Sequence, residues 1–214
     1  MADRRKVSNL LALGVLATVV QRPMHPYEMA SFLRARGKED DMEIKWGSLY
    51  TVVRNLAKHG FIEVAESTRE GARPERTVYR ITDAGRAELV DWVCELIASP
   101  QPEQPKFKAG LSVLSVLTPE DAETLLRQRL DTMEQAIEGL RASLKHHGKD
   151  VPRLFLIEDE YELAVRKAEV AWVRSLLDDL TSGTFPGLEG WRRWHATGEV
   201  PPDLADLAER GSTT

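Results

Sequence analysis

Lys45-Trp46-Gly47-Ser48-Leu49-Tyr50 opens a short amphipathic stretch, and Gly60, two apolar residues and a basic loop follow it. Ser48 suits a helix start, since its hydroxyl can accept a hydrogen bond from an orphan backbone N–H two or three residues on. From there Leu49, Val52, Val53 and Leu56 recur at helical spacing as a buried stripe, leaving Thr51, Arg54, Asn55 and Lys58 on the opposite face. That face is polar, basic and mostly slender, as entry into a major groove requires. Gly60 suits a left-handed helix end, and residues 61–64 and 77–81 read as the two strands of a hairpin. Between them residues 67–76 carry three arginines, Arg69, Arg73 and Arg76, against two glutamates. A groove-sized helix followed at once by a basic hairpin is the order of a winged helix-turn-helix.

Upstream, the apolar run 10–20 behind Arg4-Arg5-Lys6 imitates a secretory signal. It ends in Gln21-Arg22-Pro23-Met24-His25 without a small-residue cleavage pattern, and it is too short to span a bilayer. It is expected instead as the first core helix, over about residues 9–21, capped by Ser8 or Asn9 and stopped at Pro23. A second helix begins near His25-Pro26-Tyr27-Glu28, with Glu28 facing the positive end of its dipole. Residues 37–44 carry four acids and read as a solvated loop.

Downstream, Thr82 or Asp83 caps a fourth helix that carries Leu89, Trp92, Val93, Leu96 and Ile97. Pro100, Pro102 and Pro105 then separate two expected domains, residues 1–98 and 107–200. In the second, Thr118-Pro119-Glu120 announces a helix along which Leu126, Leu130, Met133, Ile137, Leu140 and Leu144 are spaced 4, 3, 4, 3, 4. A last long helix over about residues 153–180 aligns Leu154, Ile157, Tyr161, Ala164, Ala168 and Trp172. One hairpin of helices cannot cover both seams, so a second subunit is expected. The expected dimer contacts are Leu126, Leu130, Met133, Ile137, Leu140, Leu154, Ile157, Tyr161 and Trp172. The tail from Thr181, rich in Gly, Pro and Trp, either packs a short helix on the pair or serves as a tether.

The 214 residues have a net charge of −5, divided unevenly. Residues 1–98 carry 15 Lys+Arg against 14 Asp+Glu, and residues 99–214 carry 14 against 20. Phosphate contact needs a basic patch rather than a basic protein, so the total does not exclude nucleic acid. The single cysteine, Cys94, excludes an intramolecular disulfide and suits a cytoplasmic protein. A phosphate-binding glycine loop, a CxxC pair and a HExxH site are all missing, so the sequence points away from an enzyme and from any metal or cofactor. His146-His147 and Glu158-Asp159-Glu160 read as solvated helix surface, because adjacent side chains point in different directions.

Three blocks add a resemblance: Leu16-Ala17 with Pro23-Met24-His25-Pro26-Tyr27-Glu28-Met29, then Gly47-Ser48-Leu49-Tyr50, then Tyr79-Arg80-Ile81-Thr82-Asp83-Ala84-Gly85-Arg86. In that order over about 90 residues they resemble the PadR family of bacterial transcriptional regulators. The resemblance implies a homodimeric winged-helix repressor, relieved by a small aromatic or drug-like compound, with a C-terminal helical dimerisation region. Two positions depart from the family's usual pattern: Pro26 stands between His25 and Tyr27, removing a backbone donor, and Thr51 stands where proline is common.

The expected fold is therefore mostly α, a winged helix-turn-helix with a C-terminal antiparallel helical dimerisation domain. Its partners are double-stranded operator DNA, a second copy of the chain and a small aromatic effector, with no membrane. Ser48, Tyr50, Thr51, Arg54, Asn55 and Lys58 are the helix contacts, and Arg69, Arg73 and Arg76 the wing contacts, with Arg4, Arg5 and Lys6 adding phosphate contacts. Trp92 and Trp172 offer stacking surfaces to an effector, although both also fit an ordinary apolar core. A second reading is a winged-helix protein-association or small-molecule-binding module with weak affinity for DNA.

Overall fold

The computed structural model describes residues 5–38, 46–68, 76–100 and 105–200. The chain divides into two compact units, Met1–Glu103 and Gln104–Thr214. It is mostly α-helical, and the first unit is a winged helix-turn-helix.

Helix α1 (Leu10–Val19) is capped by Asn9, whose side chain accepts from the Leu11 N–H at 2.8 Å. Leu11, Ala12, Val15, Leu16 and Val19 are buried together, so the run that imitates a signal is the central helix of this unit. Its buried Thr18 hydroxyl donates to the Val15 carbonyl at 2.8 Å, which satisfies the group inside the helix. Helix α2 (Pro26–Ala35) starts on a reciprocal cap. His25 Nδ1 accepts from the Tyr27 N–H at 3.1 Å, and the Glu28 carboxylate accepts from the His25 N–H at 2.9 Å. Glu28 is thus more than a charge near the dipole: it closes the cap.

Helix α3 (Leu49–Lys58) buries Leu49, Val52, Val53 and Leu56, as the spacing requires. The expected Ser48 cap does not form. Ser48 ends a 3₁₀ turn (Trp46–Ser48) with φ −94° and ψ −7°, and a cap needs extended backbone to aim its oxygen back at the first amides. Gly60, at φ +74°, takes the left-handed turn that releases the chain into the hairpin.

Strands β1 (Ile62–Thr68) and β2 (Arg76–Ile81) pair antiparallel from Ile62 opposite Ile81 to Thr68 opposite Arg76, with a bulge between Val64 and Glu66. β1 runs past the expected end at residue 64, because beyond the bulge the ribbon has no apolar face to advertise it. Met24 and Tyr79 exchange backbone hydrogen bonds at 3.0 Å, so a segment read only as the end of a helix lies along β2.

Helix α4 (Asp83–Ala98) begins at Thr82, whose hydroxyl accepts from the Gly85 N–H at 3.0 Å and donates to the Gly60 carbonyl at 2.6 Å. Gly85 lies directly on the Phe61 carbonyl: a Cβ there would stand 1.9 Å from that oxygen.

The second unit holds α5 (Lys106–Leu111), α6 (Pro119–His147), α7 (Ile157–Ser182) and α8 (Leu188–Thr197). Thr118 caps α6 by accepting from the Asp121 N–H at 3.0 Å. Helices α6 and α7 pack as an antiparallel pair over two clusters: Ala122 and Leu126 with Val173, Leu177 and Leu180, and Met133 and Ile137 with Val170. The expected use of Leu126, Met133 and Ile137 between subunits is corrected by this packing, since all three are buried within their own chain. A heptad spacing states that a helix has a partner, not which helix the partner is. On α7 the chain's own core takes Val170, Val173, Leu177 and Leu180, a different face from the expected stripe. The stripe stays open, with Tyr161 70% and Ile157 50% exposed.

The tail does fold. Trp191 Nε1 donates to the Leu117 carbonyl at 2.9 Å, His195 Nε2 donates to Ser115 O at 2.9 Å, and Arg192 Nε reaches Glu120 at 3.0 Å. Backbone hydrogen bonding in its helical turn, and then Arg192, hold the Glu120 carboxyl below its ordinary range.

Replacing Gly85 with alanine should destabilise the N-terminal unit by about 1–3 kcal/mol or more, since the clash is with backbone that cannot rotate away. Urea unfolding of the variant reads this directly, and unchanged stability would contradict the close crossing.

Candidate nucleic-acid interface

The buried stripe of α3 sets what its other side presents. With Leu49, Val52, Val53 and Leu56 packed inward, Tyr50, Thr51, Arg54, Asn55 and Lys58 are all exposed. No acidic residue occurs in the helix, and its two cations are unmatched along its length. Arg54 Nη2 donates to Thr51 Oγ1 at 3.5 Å, a long contact that leaves the guanidinium at the surface.

The structure treats the other expected cations differently. Arg4, Arg69, Arg73 and the side chain of Arg76 lie outside the described residues. On the described part of the hairpin, Arg80 is paired with Glu63 at 2.7 Å across the strands. Lys6 is exposed. Arg5 is engaged elsewhere: its guanidinium, 12% exposed, contacts Glu88, Asp91 at 3.0 Å and Glu95 at 2.5 Å along one face of α4. It also lies over the Trp92 ring, 5.1 Å from the centroid. Burial works to lower its pKa, but the hydrogen bonds to Glu95, Glu88 and Asp91 outweigh this and raise it above the ordinary arginine value. An arginine held by three carboxylates has little charge left to offer a phosphate.

Beside α3 lies a cleft of about 330 Å³ where the start of α2, α3 and β2 converge. Tyr50 and Arg54 line it from α3, Thr77 and Tyr79 from β2, and His25 from the cap of α2, over a floor of Pro26 and Val53. Sequence reading missed His25, Thr77 and Tyr79 as site residues. The Met24–Tyr79 backbone pairing joins the start of α2 to β2 beside α3, and the apolar pattern carries no signal for it.

The two tryptophans part company. Trp92 is 4% exposed, in the N-terminal core and under Arg5, so it is packing rather than an open stacking face. Trp172 is 49% exposed and meets Phe107 edge-on at 6.1 Å. Arg129 covers the Phe107 ring, with its Cζ 3.7 Å from the centroid, and pairs with Glu169. Among the described residues no group of three or more His, Cys, Asp or Glu side chains could hold a metal ion, and no helix is long and apolar enough to cross a membrane.

Residues 15–91, within the N-terminal winged helix-turn-helix, match the family model of the transcriptional regulator PadR-like family. The negative transcriptional regulator PadR of Bacillus subtilis (strain 168) is 23% identical over 176 residues, which cover 78% of this chain and 96% of that one. The crystal structure of Bacillus subtilis PadR in complex with operator DNA matches with a TM-score of 0.65 at 21% identity, over 80% of this chain and 99% of the other. The same protein in complex with p-coumaric acid matches with a TM-score of 0.66 at 19% identity, again over 80% and 99%. At these identities the solved structures establish the fold.

Replacing Arg5 with glutamine should lower the stability of the N-terminal unit by about 1–2 kcal/mol, through lost packing on Trp92 and lost carboxylate contacts. It should leave the salt dependence of any DNA binding unchanged. A salt slope that falls with this substitution would return Arg5 to the phosphate contacts.

Proposed function

We propose that this chain, whose residues 15–91 match the PadR-like family model, is a homodimeric DNA-binding transcriptional regulator, a repressor that a small aromatic effector releases. One observation carries the reading: α3 presents Thr51, Arg54, Asn55 and Lys58 on an exposed face free of acids, while its other face is fixed in the core. Asparagine can pair with adenine through two hydrogen bonds, and a threonine methyl can contact thymine, so the helix has both anchoring and reading groups. Arg69, Arg73 and Arg76 serve as the wing's backbone contacts in this proposal, and residues 1–98 and 107–200 are its DNA-binding and dimerisation domains. Support comes from the operator complex of Bacillus subtilis PadR, a protein of the same fold.

The dimer rests on the open face of α7 and the turn before it, where Leu154, Phe155, Ile157, Tyr161, Val165 and Trp172 are exposed. An apolar stripe of that length on a soluble helix calls for a partner. Two copies of α3 would then meet successive major grooves about 34–36 Å apart on a two-fold operator. Trp172 beside Phe107 supplies an aromatic surface for an effector, and the p-coumaric acid complex of Bacillus subtilis PadR supports that class of ligand. A compound that binds better to the dimer geometry unsuited to DNA would release the operator. The protein works where the DNA is, in the cytoplasm.

A duplex enriched by the protein from a random-sequence pool provides the test. Asn55→Ala should weaken binding to that duplex by about 1–3 kcal/mol while barely changing affinity for unselected DNA. Failure to enrich any sequence, with no salt-dependent binding, would remove the regulator reading.

The dimer has its own test. Aspartate at Ile157 and Tyr161 should give a folded monomer, whereas aspartate at Ile137 should disrupt the helical pair itself, because Ile137 is buried against Val170. Light scattering with circular dichroism separates these results, and a folded dimer of the Ile157/Tyr161 variant would place the interface elsewhere.

A further inference from the structure

The cleft between α2, α3 and β2 joins a permanent cation, Arg54, to hydroxyl donors on two walls, Tyr50 on α3 and Thr77 and Tyr79 on β2. Among the described residues no carboxylate lines it. The amide end of α2 is not what would hold an anion there. The Tyr27 N–H is engaged by His25 Nδ1 at 3.1 Å, and the Glu28 and Met29 N–H groups donate to the His25 carbonyl at 2.9 and 3.1 Å. The cap also brings the Glu28 carboxylate to the His25 N–H, adding negative charge at that end. Whatever the cleft binds must be held by side chains, and a guanidinium with several hydroxyl donors suits the non-bridging oxygens of a phosphodiester.

We infer that this cleft seats a phosphodiester of the DNA backbone, so that Arg54 anchors the strand instead of reading a base. The inference rests on the DNA-binding reading above and redistributes the work within α3. Thr51 and Asn55 face the bases. Arg54, one turn along from Tyr50, turns toward β2. Thr77 and Tyr79, outside the usual list of reading-helix and wing-tip contacts, become the opposite jaw. The helix and the base of the hairpin then grip one strand from both sides of a phosphate, and the Met24–Tyr79 pairing ties β2 to the segment that leads into α2, the cleft's third side.

The experiment uses the full chain with two duplexes of equal length, one enriched by the protein from a random pool and one unselected, titrated at several salt concentrations. Arg54→Gln should weaken both duplexes by a similar factor, about tenfold, and reduce the salt slope by about 0.9 for each protomer bound. Tyr79→Phe and Thr77→Val should weaken both duplexes without altering the slope, since they remove donors and no charge. Circular dichroism and unfolding midpoints check that each variant is folded; Arg54 is exposed, so its replacement leaves the core intact. Inorganic phosphate at constant ionic strength distinguishes a backbone seat from a site for the free ion. Weak competition with the duplex supports the inference, and saturation without displacement of DNA overturns it. A loss for Arg54→Gln confined to the enriched duplex, or an unchanged salt slope, also overturns it, while the selective loss for Asn55→Ala would still stand for DNA reading. Binding to neither duplex by the unaltered chain would end both.

Discussion

The contact on which the N-terminal unit turns is the approach of α4 to the Phe61 carbonyl at Gly85. It is possible only without a Cβ, and Thr82 locks it by donating to the Gly60 carbonyl and accepting from the Gly85 N–H. The Thr82 N–H adds a bond to the Phe61 carbonyl at 3.1 Å. One junction thus ties together the end of α3, the root of β1 and the start of α4. Gly60 must turn left-handed to reach it, and β2 must return in register for Ile81 to meet Ile62. The outward face of α3 is held steady because its C-terminal end is built into this junction.

Electrostatics follow a similar division of labour. The first unit is close to neutral in total, yet its charges are sorted by position. Acids on α4 are matched by Arg5, Glu63 is matched by Arg80, and α3 has cations with no acid of its own. Local pairing of this kind lets a chain with a net charge of −5 carry a face that suits a polyanion. Arg5 illustrates the limit of reading charge from a sequence: Arg4-Arg5-Lys6 looks like one basic cluster, but Arg5 is folded onto Trp92 and three carboxylates far along the chain.

What was legible in the sequence was whatever repeats or terminates locally. The helical stripe of α3, the left-handed Gly60, a cap at Ser8 or Asn9 and another at Thr82 or Asp83, and the proline starts of α2 and α6 all act within a few residues, and all are present, with Asn9 and Thr82 as the caps. The Ser48 cap failed because the preceding 3₁₀ turn changes the backbone angle, which residue types alone do not fix. The cleft was invisible for another reason. His25, Thr77 and Tyr79 are ordinary residues until a backbone pairing between Met24 and Tyr79 joins the start of α2 to β2 beside α3, and backbone pairing leaves no trace in side-chain chemistry.

The two long helices show how far periodicity goes before it needs geometry. The α6 seam and the α7 stripe have the same spacing, but Met133 and Ile137 are buried within the chain whereas Ile157 and Tyr161 are open. The difference comes from α7 having two apolar faces. Val170, Val173, Leu177 and Leu180 occupy the one that meets α6, which leaves the stripe from Ile157 to Trp172 without a partner in the same pair. A helix needs one apolar face to fold onto a neighbour; a second face of aromatic and branched side chains costs solubility and gives nothing to a lone hairpin. The sequence-level expectation of a second subunit therefore transfers from the seam that looked most regular to the face that the intrachain packing leaves over.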